Sequence, residues 1–204
     1  MPAAVYRRRT RPERTTATRD RILAAVRELL AEGVFHESTV EQVAERAGVS
    51  RATLYQHFGS RLELVDGICD RMAVNPALVA LRETVVLPDA ERALAETVAG
   101  SMRFWASEDT LLAQLYGVVA IDPAAKDFVV RQRADRRGEL ERLARNLQRS
   151  GRLRRGFGER RAVQQLLVLT SYETFKELHA AGLGDREAIR LLQDNARALL
   201  LSDG

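Results

Sequence analysis

The feature that most constrains this chain is the stretch TVEQVAERAGVSRATLYQHFGSRLEL, from Thr39 to Leu64. Two short helical patterns there flank only three residues, Gly48, Val49 and Ser50. The first pattern, about 39–47, has Val40, Val43, Ala44 and Ala47 on one face. The second carries Leu54 and Phe58 inward. Gly48 permits a turn backbone with positive φ. Ala44 is small where the two helices come closest, and Val43, Val49 and Leu54 supply an apolar knot. Two such helices joined so tightly must cross steeply, as in a helix-turn-helix. Helices of about eight residues cannot hold a core alone, so a neighbour must support them. The stripe Ile22, Leu23, Val26, Leu29 and Leu30, in a helical segment about 17–32 ended by Gly33, provides it.

Caps mark each boundary. Ser38 with Glu41, or Thr39 with Gln42, closes a capping box before the first short helix. Ser50 caps the second, and Ser60 with Glu63 opens the next, where Leu64, Val65, Ile68, Cys69 and Met72 face inward. Beyond residue 75 the pattern stays helical, with segments at 89–107, 109–120, 123–150, 159–180 and 186–200. Asp122–Pro123 reads as a cap and first-turn proline, and Gly138 as a possible bend in the long segment 123–150. No run of alternating β-branched residues stands out. The expected fold class is all-α.

Charge distribution points to a partner. Residues 1–61 hold eleven Arg and seven acidic residues, whereas 62–204 hold 21 basic and 21 acidic residues, so the net charge of +4 sits in the first part. A cationic N-terminal unit on a neutral body suits a polyanion, although a basic tail on an unrelated body would show the same balance. Residues 1–15, with Arg7, Arg8, Arg9, Arg11 and Arg14, read as a flexible basic arm. The 46% apolar content is enough for a sizeable core.

The chemistry available is narrow. Cys69 is the one cysteine, and His36, His57 and His179 fall in separate segments. Neither a metal-ligand spacing nor a Gly-rich phosphate loop is present. An enzyme, a metal site and a bound cofactor are not expected. No apolar run approaches a membrane span, and the N-terminus lacks the apolar run of a secretory signal. A cytoplasmic location without a membrane partner is the expectation.

The outer face of the second short helix is suited to DNA. Arg51, Ala52 and Thr53 lie in its first turn, on the side away from the knot. Such a turn enters the major groove. Arg51 can fork onto guanine O6 and N7, and Ala52 and the Thr53 methyl can meet a thymine methyl. Tyr55, Gln56 and His57 can reach phosphates or base edges. Thr39 and Arg61, each at a helix start, suit phosphates.

The stretch resembles the DNA-binding domain of the tetracycline-repressor (TetR) family, whose signature looks like T-V-x-x-I-A-x-x-A-G-V-S-x-G-T-L-Y-x-H-F-x-x-K-x-x-L. Thr39, Val40, Val43, Ala44, Ala47, Gly48, Val49, Ser50, Thr53, Leu54, Tyr55, His57, Phe58 and Leu64 follow it in order. Val43 stands for the usual Ile, Ala52 where Gly is frequent, and Arg61 where Lys is usual. The resemblance implies a basic arm (1–15), a helix-turn-helix DNA-binding domain (16–61) and a helical effector-binding and dimerisation domain (62–204). It implies phosphate contacts at Thr39, Ser50, Tyr55, His57 and Arg61, and groove-facing roles for Arg51, Ala52, Thr53 and Gln56.

By the same resemblance the partners are operator DNA, a second copy of the chain and a small-molecule effector. The expected function is a repressor released by that effector. The alternatives are an activator, or a regulator answering to a protein. Segments 163–180 and 186–200, with Val163, Leu166, Leu167, Thr170 and Tyr172 and with Ile189, Leu192, Ala196, Leu199 and Leu200, are the candidate dimer interface. Those stripes equally suit the chain's own core. Met102, Trp105, Tyr116 and Phe128 are the candidate effector contacts.

Overall fold

A computed structural model describes the backbone of residues 11–121 and 126–202, and the side chains of 15–117 and 134–202. Arg7, Arg8, Arg9, the Asp122–Pro123 cap and the side chains of Arg11, Arg14 and Phe128 lie outside the described residues. Apart from one isolated bridge, the described fold is all-α. It runs α1 (Arg11–Ala31), α2 (Val40–Arg46), α3 (Arg51–His57), α4 (Arg61–Ala73), α5 (Pro76–Thr84), α6 (Ala90–Ile121), α7 (Lys126–Arg149), α8 (Glu159–Leu169), α9 (Tyr172–Ala180) and α10 (Asp185–Leu200).

The first unit forms as its pattern dictates. Ile22, Val26 and Leu30 of α1 are buried with Val43, Ala44, Leu54, Phe58 and Leu64. Helix α4 joins this core because it carries a glycine at the contact. A Cβ on Gly67 would lie 2.8 Å from Leu23 Cδ2 and 2.9 Å from Phe58 Cε1. Helix α1 starts at Arg11, so the segment read as an arm is already helical over its last residues.

Helix α6 is the axis of the second unit. It packs against α1, α5, α7, α9 and α10, while α7 packs on α8. The expected segments 89–107 and 109–120 imply a break near residue 108, where Ser107, Glu108 and Asp109 are polar and adjacent. The helix runs through instead, since each polar group has a partner. Ser107 Oγ donates back to Phe104 O, Glu108 accepts from Arg27 and Asn75, and Asp109 accepts from Tyr172 and Lys176. The expected single helix 159–180 is in fact two. Ser171 caps α9 through Thr174 N, and the Thr170 carbonyl left at the break accepts the Trp105 indole N–H at 2.9 Å. Gly138 does not interrupt α7.

Helix α5 was absent from the segments expected by pattern. Asn75 caps it and Pro76 opens it, yet none of its residues is fully buried. It leans on α6 across Gly100, where a Cβ would meet Leu81 Cδ1 at 3.0 Å. At the other end of the chain, Arg154 N donates to Leu200 O and Ser202 N to Arg152 O, which fastens the end of α10 to the loop after α7.

The two units are joined by a buried carboxylate. Glu108 in α6 has a side chain only 3% exposed. Its Oε2 accepts from Arg27 of α1 at 2.7 Å and its Oε1 from Asn75 at 2.5 Å. A buried charge is tolerated when it is paired and bonded in this way.

Candidate nucleic-acid interface and internal cavity

Local sequence sets the helix-turn-helix geometry. Thr39 Oγ1 accepts from Gln42 N at 3.2 Å and Gln42 Oε1 accepts from Thr39 N at 2.7 Å, so the Thr39 register of the capping box is the one formed. Gly48 takes φ +63°, and Val49 N then reaches back to Ala44 O at 2.9 Å. Ser50 Oγ accepts from Thr53 N at 3.0 Å and starts α3. Leu54 is the buried residue of α3, which leaves Arg51, Ala52, Tyr55 and Gln56 exposed on its other side. Thr53 and His57 are half-buried.

Within that face the side chains are not all idle. Arg51 Nη1 lies 2.7 Å from Glu41 Oε1, and its guanidinium sits 5.5 Å from the Tyr55 ring centroid. A hydrogen bond to Tyr55 and the charge of Glu41 hold Arg51 above its ordinary pKa. The Thr53 hydroxyl shares a 2.8 Å hydrogen bond with Ser50. Arg51 must leave Glu41 before it can fork onto a base.

Arg61, read from the sequence as a phosphate contact at the start of α4, is engaged within the chain instead. Its Nη1 donates to Ser38 O and its Nη2 to Phe35 O, and its guanidinium lies 4.3 Å from the Phe35 ring centroid. It straps α4 to the loop between α1 and α2. Arg19, not singled out by sequence, does similar work at the end of α3. It lies 4.3 Å from the Phe58 ring centroid and donates to His57 O at 3.4 Å. A cation there also suits the negative end of α3.

Behind this unit lies a cavity of about 480 Å³, bounded by residues of α4 to α9. Such a volume lies within the range for small-molecule sites. Of the candidate effector contacts, Trp105 and Tyr116 line it. Met102 does not; it is buried in the core on a different face of α6. Phe128 lies outside the residues whose side chains are described. Sequence reasoning missed Leu78, Leu81 and Arg82 of α5, and it missed Arg136 of α7. These come from a helix with a weak apolar pattern and from a charged residue amid many others. Tyr172 supports the lining residue Tyr116 from outside the cavity: its ring stacks on Tyr116 at 5.3 Å and its hydroxyl donates to Asp109 Oδ1 at 2.5 Å. Burial, and then that bond, push the Tyr172 hydroxyl well above its ordinary pKa.

Most of the proposed dimer stripe faces inward. Val163, Leu166, Thr170, Tyr172, Leu192, Ala196 and Leu200 are buried within the single chain. In the same segments Val168 is 64% exposed, Leu191 40% and Leu199 37%. Among the described residues no group of three His, Cys, Asp or Glu could hold a metal ion, and no helix is long and apolar enough to cross a membrane.

Comparison with known proteins agrees with this geometry. Residues 22–68 match the family model for bacterial regulatory proteins of the tetR family. The transcriptional activator FasR of Mycolicibacterium smegmatis is 38% identical over 74 residues, 36% of this chain. The match spans about a third of the curated relative's length (33%). A TetR-family regulator from Rhodococcus sp. superposes with a TM-score of 0.72 at 21% identity, covering 91% of this chain and 99% of that one. SmeT, the repressor of the Stenotrophomonas maltophilia efflux pump SmeDEF, was solved with triclosan. In that complex it gives 0.74 at 21% identity, over 92% of this chain and 93% of its own. Residues 22–68 thus resemble the DNA-binding domain of the tetR family of bacterial regulatory proteins, and the helical architecture as a whole is similar to that of the solved structure from Rhodococcus sp..

Proposed function

We propose that this chain is a sequence-specific transcriptional repressor that binds operator DNA as a dimer and is released by a small-molecule effector. The observation that carries the reading is that α4 borders both sites. Arg61 and Leu64 at its start hold the helix-turn-helix, and Cys69 and Met72 near its end line the cavity. An occupant of the cavity that shifts α4 must move the reading head with it.

In this reading residues 16–61 are the DNA-binding domain and 62–204 the effector and dimerisation domain. Arg51, Ala52, Thr53 and Gln56 meet the major groove. Thr39, Ser50, Tyr55 and His57 meet phosphates, and Arg61 places the loop before α2 so that Thr39 does so. The arm Arg7–Arg9 adds phosphate contacts. The outward residues Val168, Leu191 and Leu199 form the dimer seam, since two half-sites need two copies. SmeT, a repressor solved with triclosan, supports ligand-linked repression on this fold. FasR is named an activator, but its match falls in 74 residues and bears on DNA binding more than on direction.

The test starts with a duplex selected from a random pool by the full-length protein. Its affinity is then measured by anisotropy, with and without cavity ligands. Binding that is sequence-specific, and weakened reciprocally by ligand, supports the reading. Equal ligand affinity with and without the duplex would refute release. Tighter DNA binding with ligand would favour activation or co-repression.

A further inference from the structure

The cavity is not uniformly apolar. Its deep wall is Cys69, Met72 and Val85, with the half-buried Leu81 next to them and Thr97 and Ser101 of α6 beside them. Its rim includes Asp135, Arg137 and Glu173, all exposed. Between the two stands Arg136, largely buried. Its Nη2 donates to Leu167 O at 3.0 Å and to Thr170 Oγ1 at 2.7 Å. No acceptor faces its Nε or Nη1 among the described residues, and no carboxylate comes within ion-pair distance of it.

Neither of those nitrogens is sealed away, because every fully buried side-chain polar atom described has a hydrogen-bond partner. The other cations of the wall differ. Arg82 is bound to Glu139 at 2.7 Å and also donates to Ala73 O, and Arg137 pairs with Glu141 at 3.2 Å. Trp105, 5.8 Å from the Arg136 guanidinium, offers only a weak cation–π contact. Burial holds this guanidinium below its ordinary pKa, yet an arginine stays charged in proteins. A buried charge short of partners gains from any anion brought to it.

We infer that the cavity takes an anionic amphiphile, its carboxylate-like head on Arg136 and its apolar tail running inward toward Cys69 and Met72. This rests on the reading of the cavity as an effector site and adds the class of molecule. The head sits near the rim and remains partly hydrated. The tail fills the deep wall and presses on α4, which also carries the strap to the reading head. Rim carboxylates Asp135 and Glu173 disfavour a second negative charge beside the head. They do not substitute for the head, since both are exposed.

The test uses three probes with one tail: decanoate, decanol and decyltrimethylammonium, each below its micelle concentration. Trp105 is the sole tryptophan and lines the cavity, so its fluorescence reports binding directly. Full-length protein is expected to bind decanoate at least about tenfold tighter than decanol, and the cation weakest. Shortening the acid to octanoate should weaken binding about tenfold, as two methylenes leave the apolar wall. Arg136→Gln should erase the preference for the acid, and Arg136→Lys should keep part of it. Because Arg136 also ties α7 to the end of α8, circular dichroism must show both variants folded. If they are not, the probe ranking on the unaltered protein still decides.

Equal binding of decanoate and decanol, retention of the preference in folded Arg136→Gln, or no response of Trp105 to any probe would overturn the inference. Repeating the titrations with the selected duplex separates the two readings. Acid preference without any DNA linkage leaves the ligand class standing and removes release. DNA linkage without acid preference does the reverse.

Discussion

Replacing Glu108 by Gln should loosen the joint between the two units without leaving a hole. The amide has the same shape, so no cavity term arises. One of the two acceptors becomes an NH2 group that must face either Arg27 or Asn75, both donors at 2.7 and 2.5 Å. A hydrogen bond to a charged group contributes about 1.5–3 kcal/mol net. Arg27 is half exposed, so water takes up part of its loss. The expected cost is therefore about 2 kcal/mol, equivalent to a Tm fall of roughly 4–8 °C for a chain of this size. Arg27→Met should cost more, about 3–5 kcal/mol, because it leaves a carboxylate buried without its cation. The double variant should cost clearly less than the sum, since the second change removes a partner already lost. Urea denaturation of the four proteins completes the cycle. A Glu108→Gln effect below about 0.5 kcal/mol, or additive single effects, would show that the triad is a surface contact and not a joint. The DNA readout is separate: Glu108→Gln should reduce the linkage between cavity ligand and duplex, because α1 then moves less strictly with α6.

Arg51→Ala should weaken the selected duplex by about 5- to 150-fold and random DNA much less, relaxing one base pair of the site; equal losses on both would mean that α3 docks in another rotation. Arg61→Ala should lower stability by about 2–3 kcal/mol through the lost strap to Phe35 and Ser38, seen by denaturation, whereas Arg51→Ala should leave stability unaltered. Leu191→Glu or Val168→Glu should yield monomers by ultracentrifugation at micromolar protein, and a persistent dimer would place the seam elsewhere. Asp109, which burial would raise, is instead held below its ordinary value by Tyr172 and Lys176. Its contribution is present above about pH 4 and lost as pH falls through the lowered value, so Asp109→Asn should destabilise at pH 7, and its deficit against the parent should shrink as the pH falls below the ordinary carboxylate range.

What the sequence disclosed followed from local rules. Thr39, Ser50 and Ser60 announce helix starts, Gly48 the turn, and the spacing of Val43, Ala44 and Leu54 the crossing; all act within a few residues. The α6 break failed because Ser107, Glu108 and Asp109 look like a cap until Arg27, Asn75 and Tyr172 arrive from distant segments. Arg61 misled for the same reason: its acceptors are carbonyls of residues 35 and 38, and backbone acceptors have no signature in a sequence. The stripes on α8 and α10 were correctly apolar, but periodicity cannot say whether a face meets its own core or another copy. The outward remainder, Val168, Leu191 and Leu199, emerges only when the inward set has been seated.

The position of α4 explains why these parts belong to one device. Its first turn is bound to the loop before α2 by Arg61, its middle meets α1 and α3 at Gly67 without room for a methyl group, and its last turns line the cavity through Cys69 and Met72. A helix held at its start and middle transmits a push at its end as a tilt, because packed cores switch between arrangements more readily than they deform. Gly67→Ala tests that stiffness. The added methyl gains about 1 kcal/mol of helix propensity but must displace Leu23 and Phe58, at an overpacking cost of about 1–3 kcal/mol. If the displacement re-seats α4 on α1, DNA affinity should fall even without ligand, and the further loss on adding ligand should shrink. Unchanged DNA affinity together with undiminished ligand linkage would mean that the signal leaves the cavity by another route, the Glu108 joint between α6 and α1 being the one the structure offers.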